Sequence, residues 1–83
     1  MPDVTLYSST LCGYCHAAKR LLEGKNVDYN EVVVDGQPEL RQQVRERSGQ
    51  RTVPQIWIGD QHIGGFTDLA ALEQQGKLDA LLG

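Results

Sequence analysis

The stretch Thr10-Leu11-Cys12-Gly13-Tyr14-Cys15-His16 contains both cysteines of the 83-residue chain. A β-rich segment precedes it and a helical pattern begins inside it. A Cys-x-x-Cys pair in that setting is typical of redox dithiols in small α/β proteins. The first sulfur then lies at a helix amino end, where free N–H groups and the helix dipole favour a thiolate. We therefore predict Cys12 as the nucleophile and Cys15, one turn inside the helix, as the resolving thiol.

Two other uses of the cysteine pair stay open at this point. One is a purely structural disulfide, and the other is a zinc site. Zinc would need further ligands, and the two histidines, His16 and His62, do not have the spacing of a zinc finger. We interpret His62 as a structural, solvent-facing residue of an edge strand rather than as a catalytic residue. Trp57 is interpreted as a packing residue that alternates with its isoleucine neighbours across a sheet.

The composition indicates one small globular domain spanning residues 1–83, which can bury only about 60% of the surface of its unfolded chain. A formal charge of −3 argues against a general nucleic-acid binder. The amino terminus has neither a basic start nor an apolar run, so it predicts no signal peptide and no membrane span. We expect a cytoplasmic protein without nucleic-acid or membrane partners, where a redox-spaced pair is catalytic rather than structural.

Half of the eight basic residues lie in one short stretch: Arg41, Arg45, Arg47 and Arg51. This arginine patch could meet a small anion, or it could be a solvated helix face. Arg41 and Arg45 stand four residues apart, where like charges on a helix cost ~0.2–0.5 kcal/mol. That cost counts against the second interpretation.

Hydrophobic periodicity and turn residues predict the order of the elements. The right-handed crossover of a β-α-β unit makes the first two strands parallel, and a hairpin makes the last two antiparallel. This predicts an α/β protein whose mixed four-stranded sheet, in βαβ then αββα order, has helices on both faces. The predicted strands are residues 4–7, 29–34, 55–58 and 61–63, with 29–34 in a central or parallel position. The predicted helices are residues 13–24, 38–48, 67–76 and a short tail at 77–82.

Three motifs then carry a resemblance to a known family. They are Cys12-Gly13-Tyr14-Cys15, Thr52-Val53-Pro54-Gln55 and Gly64-Gly65-Phe66-Thr67-Asp68, in that order along nearly the whole chain. The chain resembles a glutaredoxin of the small bacterial dithiol, glutaredoxin-3-like kind. This resemblance implies a thioredoxin-like fold. It also implies glutathione-dependent reduction of protein–glutathione mixed disulfides and of protein disulfides.

The same resemblance implies a glutathione site. Pro54 would follow a cis peptide bond and hold Val53, whose N–H and C=O would pair with the cysteine backbone of glutathione. Thr67 and Asp68 would take the γ-glutamyl end, although an ordinary helix cap is the alternative. Arg41 would face the glycine carboxylate. The predicted glutathione-binding residues are Tyr14, Arg41, Thr52, Val53, Pro54, Gly65, Thr67 and Asp68.

Two positions depart from the family pattern. Ser9 stands where many relatives have a lysine that helps to hold the glycine carboxylate, and Gly13 stands where a proline is common. Some family members without that proline carry a [2Fe–2S] cluster between two protomers, ligated by the first cysteine of each and by two glutathiones. The alternatives to a monomeric oxidoreductase are therefore a dimeric cluster carrier ligated by Cys12, and a dedicated electron donor to a reductase such as ribonucleotide reductase.

Overall fold

A computed structural model describes residues 2–83, and its element order agrees with the predicted one. The sheet has the strand order β2-β1-β3-β4, in which β1 pairs parallel with β2 and antiparallel with β3, and β3 pairs antiparallel with β4. Within residues 2–83, no helix has the length and apolar character needed to cross a membrane. The elements are β1 (Val4–Ser8), α1 (Gly13–Gly24), β2 (Asn30–Val33), α2 (Pro38–Ser48), β3 (Gln55–Ile58), β4 (Gln61–Gly64), α3 (Phe66–Gln74) and α4 (Leu78–Leu82).

Two hydrophobic clusters cover the two faces of the sheet. The larger cluster joins leucines of α1, α3 and α4 to the strands, and both isoleucines of β3 belong to it. The smaller cluster packs Trp57 of β3 against Val34 and Val44, the latter from α2. Full burial of one such aliphatic side chain contributes roughly 1.5–3 kcal/mol. The predicted alternation of Trp57 with its neighbours is confirmed, and so are helices on both faces.

The second strand differs from its prediction in length and position. It covers Asn30–Val33 rather than residues 29–34, and it lies at the sheet edge, although its pairing is parallel as expected. A run of valines indicates a strand with apolar surroundings. The position of β2 in the sheet depends on which strand pairs with the other edge of β1. Hydrophobic periodicity carries no information about that pairing.

Helix α1 has its predicted bounds, whereas α3 begins one residue earlier than predicted. Helix α1 ends with Gly24, but the left-handed residue that turns the chain is Asn26, with φ 58°. Asparagine is among the few side chains that adopt this conformation readily. Helix α3 begins at Phe66 rather than at Thr67-Asp68, because the Asp68 carboxylate accepts a hydrogen bond from the Gly65 N–H at 3.0 Å. An acid in this third helical position caps the turn from inside.

Candidate active site

Cys12 lies at the amino end of α1 as its N-cap residue, with an extended backbone at φ −128° and ψ 110°. The Cys15 N–H donates to Cys12 Sγ at 3.2 Å, so the sulfur receives a free N–H of the first helical turn. The Cys12 thiol in turn donates to the Val53 carbonyl oxygen at 3.6 Å. Cys12 is half-buried and both cysteines are free thiols. The sulfur of Cys12, the more accessible of the two, therefore faces the motif Thr52-Val53-Pro54-Gln55, which leads into β3.

Cys15 has no exposed surface. Burial, followed by a hydrogen bond with the Cys12 side chain, raises the pKa of its thiol to about 12. Burial has this effect because a thiolate loses its solvation inside the protein. At neutral pH Cys15 is thus a protonated, shielded thiol next to an accessible one.

The nearest lysine of α1 is engaged elsewhere. Lys19 forms an ion pair with Glu31 of β2, with 3.0 Å between Nζ and Oε2. The same carboxylate accepts a hydrogen bond from Ser8 Oγ at 2.7 Å, and this bond, with Lys19, lowers the pKa of Glu31. Within residues 2–83, no three His, Cys, Asp or Glu side chains converge as a metal site would require.

A cavity of about 290 Å³ opens beside the cysteine pair. The Val53–Pro54 peptide bond on its wall is cis, in agreement with the resemblance. Tyr14 is 65% exposed and stacks on Phe66, with 6.2 Å between ring centroids. Six of the eight predicted glutathione-binding residues line this cavity, and Phe66 is an addition that lay unnoticed inside the third motif. The lining residues are Tyr14, Thr52, Val53, Pro54, Gly65, Phe66 and Thr67.

The other two predicted residues lie near this cavity rather than in its wall. Arg41 lines a neighbouring crevice that shares Thr52 and Val53 with it. Asp68 is held at the start of α3 by the Gly65 N–H, and a Cβ atom built on Gly64 would overlap its carboxylate. The helix-cap interpretation of Asp68 is therefore correct, and it leaves the second carboxylate oxygen for a ligand. The cap and the ligand contact are compatible.

Asp35 is a site residue that the sequence analysis treated only as a strand-ending turn. It accepts hydrogen bonds from Ser9 Oγ at 2.6 Å, from the Thr10 N–H at 2.9 Å and from Thr10 Oγ1. The Arg41 guanidinium lies 4.0 Å from Oδ1, the oxygen that also accepts from Ser9. The bond from Ser9, followed by those from Thr10, lowers the pKa of Asp35 to about 2. Asp35 thereby holds the loop that leads into Cys12. The sequence feature that could have indicated this role is an acidic residue directly after a predicted strand that lies parallel to the first.

A buried hydrogen-bond network holds the wall opposite Cys12. Gln55 has no exposed surface; its Nε2 donates to Gln50 Oε1 and to the Thr52 carbonyl oxygen, both at 2.9 Å. Its oxygen lies 2.7 Å from Nε2 of His62, so that nitrogen carries the hydrogen. The prediction of a solvent-facing His62 is wrong, because the ring is half-buried and packs on Trp57 with 4.7 Å between centroids. His62 keeps its structural interpretation.

From the lowered pKa of Asp35 we predict how the stability of the fold changes in acid. A carboxyl with a lowered folded-state pKa stabilises the fold above its ordinary value of 3.8, and this contribution is lost as the pH falls towards about 2. Thermal melts between pH 5 and pH 2 should therefore show the wild type losing more stability than Asp35→Asn. Asp60→Asn, in the exposed β3–β4 turn, is the control and should follow the wild type. Parallel curves for wild type and Asp35→Asn would contradict the role of this carboxylate.

Comparison with known proteins agrees with the resemblance described above. The family model described as Glutaredoxin matches residues 4–63. A Pseudomonas aeruginosa protein, Glutaredoxin, is 55% identical over 82 residues, covering 99% of this chain and 98% of its own. Glutaredoxin 3 of Escherichia coli is 49% identical over 82 residues, covering 99% of each chain.

The fold agrees with the same family. The crystal structure of a buckwheat glutaredoxin–glutathione complex superposes with a TM-score of 0.91 at 31% identity, covering 98% of this chain and 76% of the other. The predicted thioredoxin-like architecture is therefore confirmed. By its sequence, its sheet and its dithiol, the chain belongs to the glutaredoxin family, whose role is thiol–disulfide oxidoreduction.

Proposed function

We propose that the protein uses glutathione to reduce protein–glutathione mixed disulfides, with Cys12 as the nucleophile. The observation that carries this proposal is the 3.6 Å contact between Cys12 Sγ and the Val53 carbonyl oxygen at the edge of the cavity. A glutathione paired through its cysteine backbone with Val53 would have its sulfur next to Cys12. The buckwheat glutaredoxin was crystallised as a complex with glutathione, which supports glutathione as the ligand.

In this pose, the two ends of the glutathione molecule would make the other contacts. The γ-glutamyl group would lie at Thr67 and Asp68, where free helix N–H groups meet its carboxylate and the Asp68 oxygen meets its ammonium. The glycine carboxylate would lie beyond Thr52 in reach of Arg41. The remaining surface would pack on the Tyr14 and Phe66 rings. Three charged groups of glutathione thus each meet a complementary group of the chain.

The proposed reaction exchanges one disulfide for another. The Cys12 thiolate attacks the glutathionyl sulfur, forms a Cys12–glutathione disulfide and releases the protein sulfur as a thiolate, which takes up a proton. The thiolate of a second glutathione then attacks the glutathionyl sulfur. Glutathione disulfide leaves and the Cys12 thiolate returns. One protein mixed disulfide is reduced and one glutathione is oxidised in each cycle.

Cys15 is needed only for disulfides within or between proteins. There, attack by Cys12 leaves a mixed disulfide with the target, and Cys15 must lose its proton to attack the Cys12 sulfur. This step forms the Cys12–Cys15 disulfide and releases the second target thiol. Two glutathione molecules then restore the dithiol and leave as glutathione disulfide. The raised pKa of Cys15 keeps it from competing in the shorter route.

The experiment for this proposal measures the KM for glutathione in Arg41→Ala and Ser9→Lys. Arg41 is 43% exposed and Asp35 is 4.0 Å away, so its bond to the glycine carboxylate is worth about 1 kcal/mol and its loss should raise the KM about fivefold. Ser9→Lys should lower the KM, because the new ammonium adds a cation or pairs with Asp35 and releases Arg41. Arg20→Ala, exposed on α1, is the control. An unchanged KM in Arg41→Ala would contradict the pose.

We assign this activity to one domain of residues 1–83 that acts as a monomer in the cytoplasm, on glutathionylated and disulfide-containing proteins. The dimeric [2Fe–2S] carrier and the dedicated electron donor are the alternatives. A carrier would need Cys12 thiolates from two chains around one cluster. Protein purified without oxygen in the presence of glutathione is expected to be colourless. Visible absorption that disappears in Cys12→Ser would favour the carrier instead.

A further inference from the structure

Three of the four arginines in the patch come together in the structure. Arg41 and Arg45 lie one turn apart on α2, and Arg51 follows in the loop towards β3. We call their common groove the arginine crevice. It shares two residues with the cavity beside the cysteines, so it continues the glutathione site at its glycine end. The lining residues are Val34, Arg41, Val44, Arg45, Gln50, Arg51, Thr52 and Val53.

The fourth arginine of the patch has a different task. Arg47 lies over the Trp57 ring, with 4.5 Å from its guanidinium carbon to the ring centroid, and donates to the Tyr7 hydroxyl at 3.3 Å. This cation–π contact gives Arg47 a packing role, so its presence in the patch needs no ligand as an explanation. Within residues 2–83, the exposed Arg45 and Arg51 have no such cation–π contact.

The arginine crevice holds more positive charge than glutathione can neutralise. Glutathione has one carboxylate at its glycine end, and the proposed pose assigns it to Arg41, which also has Asp35 at 4.0 Å. In the described part of the chain, neither Arg45 nor Arg51 has a carboxylate within 4.0 Å. Arg41 and Arg45 lie one turn apart on α2, where like charges repel one another, and Arg51 lies outside the helix. The whole chain carries −3, which makes the local excess of arginine specific to this place.

We propose that Arg45 and Arg51 bind carboxylate side chains of the polypeptide that carries the reacting disulfide, so that the preferred targets have acidic residues close to the modified cysteine. This inference rests on the proposed function for the reaction itself. It adds the substrate class: glutathionylated proteins with an acidic flank. The bound partner is an extended or flexible acidic segment that lies over the rim shared by the arginine crevice and the cavity.

The distance between Arg51 and the Cys12 sulfur can be spanned by such a segment. Arg51 is two residues before Val53, whose carbonyl contacts Cys12 Sγ at 3.6 Å. Two residues of extended chain span at most about 7 Å. A target carboxylate two or three positions from the reacting cysteine can therefore meet an arginine while its sulfur is at Cys12. Charges on the rim of a contact act mainly on the association rate, and salt weakens them.

The test compares two peptides, each with one glutathionylated cysteine. One peptide has Asp and Glu on both sides of the cysteine, and the other has Asn and Gln at the same positions. The kcat/KM of each is measured for the wild type and for the double variant Arg45→Gln/Arg51→Gln. The matched control is Arg20→Gln/Lys77→Gln, which removes two exposed positive charges outside the arginine crevice. The mixed disulfide of glutathione with 2-mercaptoethanol, which adds no charge, reports on the glutathione site alone.

The wild type and the control variant should prefer the acidic peptide by about three- to tenfold at low salt, as expected for two exposed charge pairs. This preference should disappear in Arg45→Gln/Arg51→Gln and should shrink in 0.5 M salt. Equal kcat/KM for both peptides in the wild type, or a preference that survives in the double variant, would overturn the docking proposal. If the small mixed disulfide is still reduced in that case, the proposed function stands without it. A wild type that reduces neither the peptides nor the small substrate would overturn both.

Discussion

Cys12→Ser is expected to abolish the reduction of every disulfide substrate, whereas Cys15→Ser is expected to keep the reduction of glutathionylated peptides. A serine hydroxyl at the helix amino end is not a nucleophile towards a disulfide, and the remaining Cys15 has no exposed surface. Its pKa of about 12 also keeps it protonated at neutral pH. Cys15→Ser removes only the resolving thiol, so it should stop the reduction of protein disulfides and leave the shorter route intact.

The measurement assays both variants on a glutathionylated peptide and on a protein disulfide, with glutathione as the reductant. A second readout is the pH dependence of the wild type between pH 6 and pH 9. The thiolate of glutathione, a free thiol of pKa ~8.5, begins to level off above pH 8, whereas the Cys15 thiolate keeps increasing because burial raises its pKa. Between pH 8 and pH 9 the rate on the protein disulfide should therefore rise more steeply than the rate on the peptide. A Cys15→Ser variant as inactive as Cys12→Ser on the peptide would contradict the proposed route.

The second large effect is expected from Gly64→Ala. Gly64 has φ +117°, a region that side chains other than glycine rarely adopt, and its new Cβ would overlap the Asp68 carboxylate. The backbone strain alone costs about 1–3 kcal/mol. In a chain of this size each kcal/mol lowers the melting temperature by roughly 4–8 °C. Displacement of Asp68 should also raise the KM for glutathione, because the proposed ammonium contact moves with it.

Gly49→Ala is the matched control for this variant. Gly49 also has a positive φ, at 72°, but a Cβ there would meet nothing within 4 Å. It should therefore lose stability through strain while keeping the KM of the wild type. Melting curves and glutathione titrations on both variants separate the two effects. If Gly64→Ala and Gly49→Ala change the KM equally, the contact between Gly64 and Asp68 does not support the glutathione site.

The sequence alone was enough for the features that are local along the chain. Cys12 and Cys15 are three residues apart, so their spacing predicts the dithiol without any knowledge of the fold, whereas the roles of Val53 and Pro54 were predicted from the family resemblance. The order of strands and helices follows from hydrophobic periodicity for the same reason. The motifs also predicted six of the residues that line the cavity, because residues adjacent in a motif stay close in space.

Tertiary structure decided every contact between segments distant in sequence. Cys12 meets Val53 across 41 positions, and Asp35 meets Thr10 across 25. Neither contact leaves a periodic signal, because each depends on strand pairing: β2 could only be assigned to the sheet edge once β1 had paired with β3. The polar partners of Gln55 lie within seven residues of it, but its burial depends on the position of β3 between β1 and β4.

The arginine patch combines both kinds of information. Helical spacing puts Arg41 and Arg45 on one face of α2 and turns Arg47 away from them. It says nothing of Arg51, which lies outside the helix and reaches the same crevice because β3 returns the chain alongside β1. Short-range backbone geometry therefore determined the dithiol and the element order from the sequence alone, and the family resemblance added the motif residues. The packing of segments far apart in the chain decided which of those residues meet at Cys12 and what surrounds them.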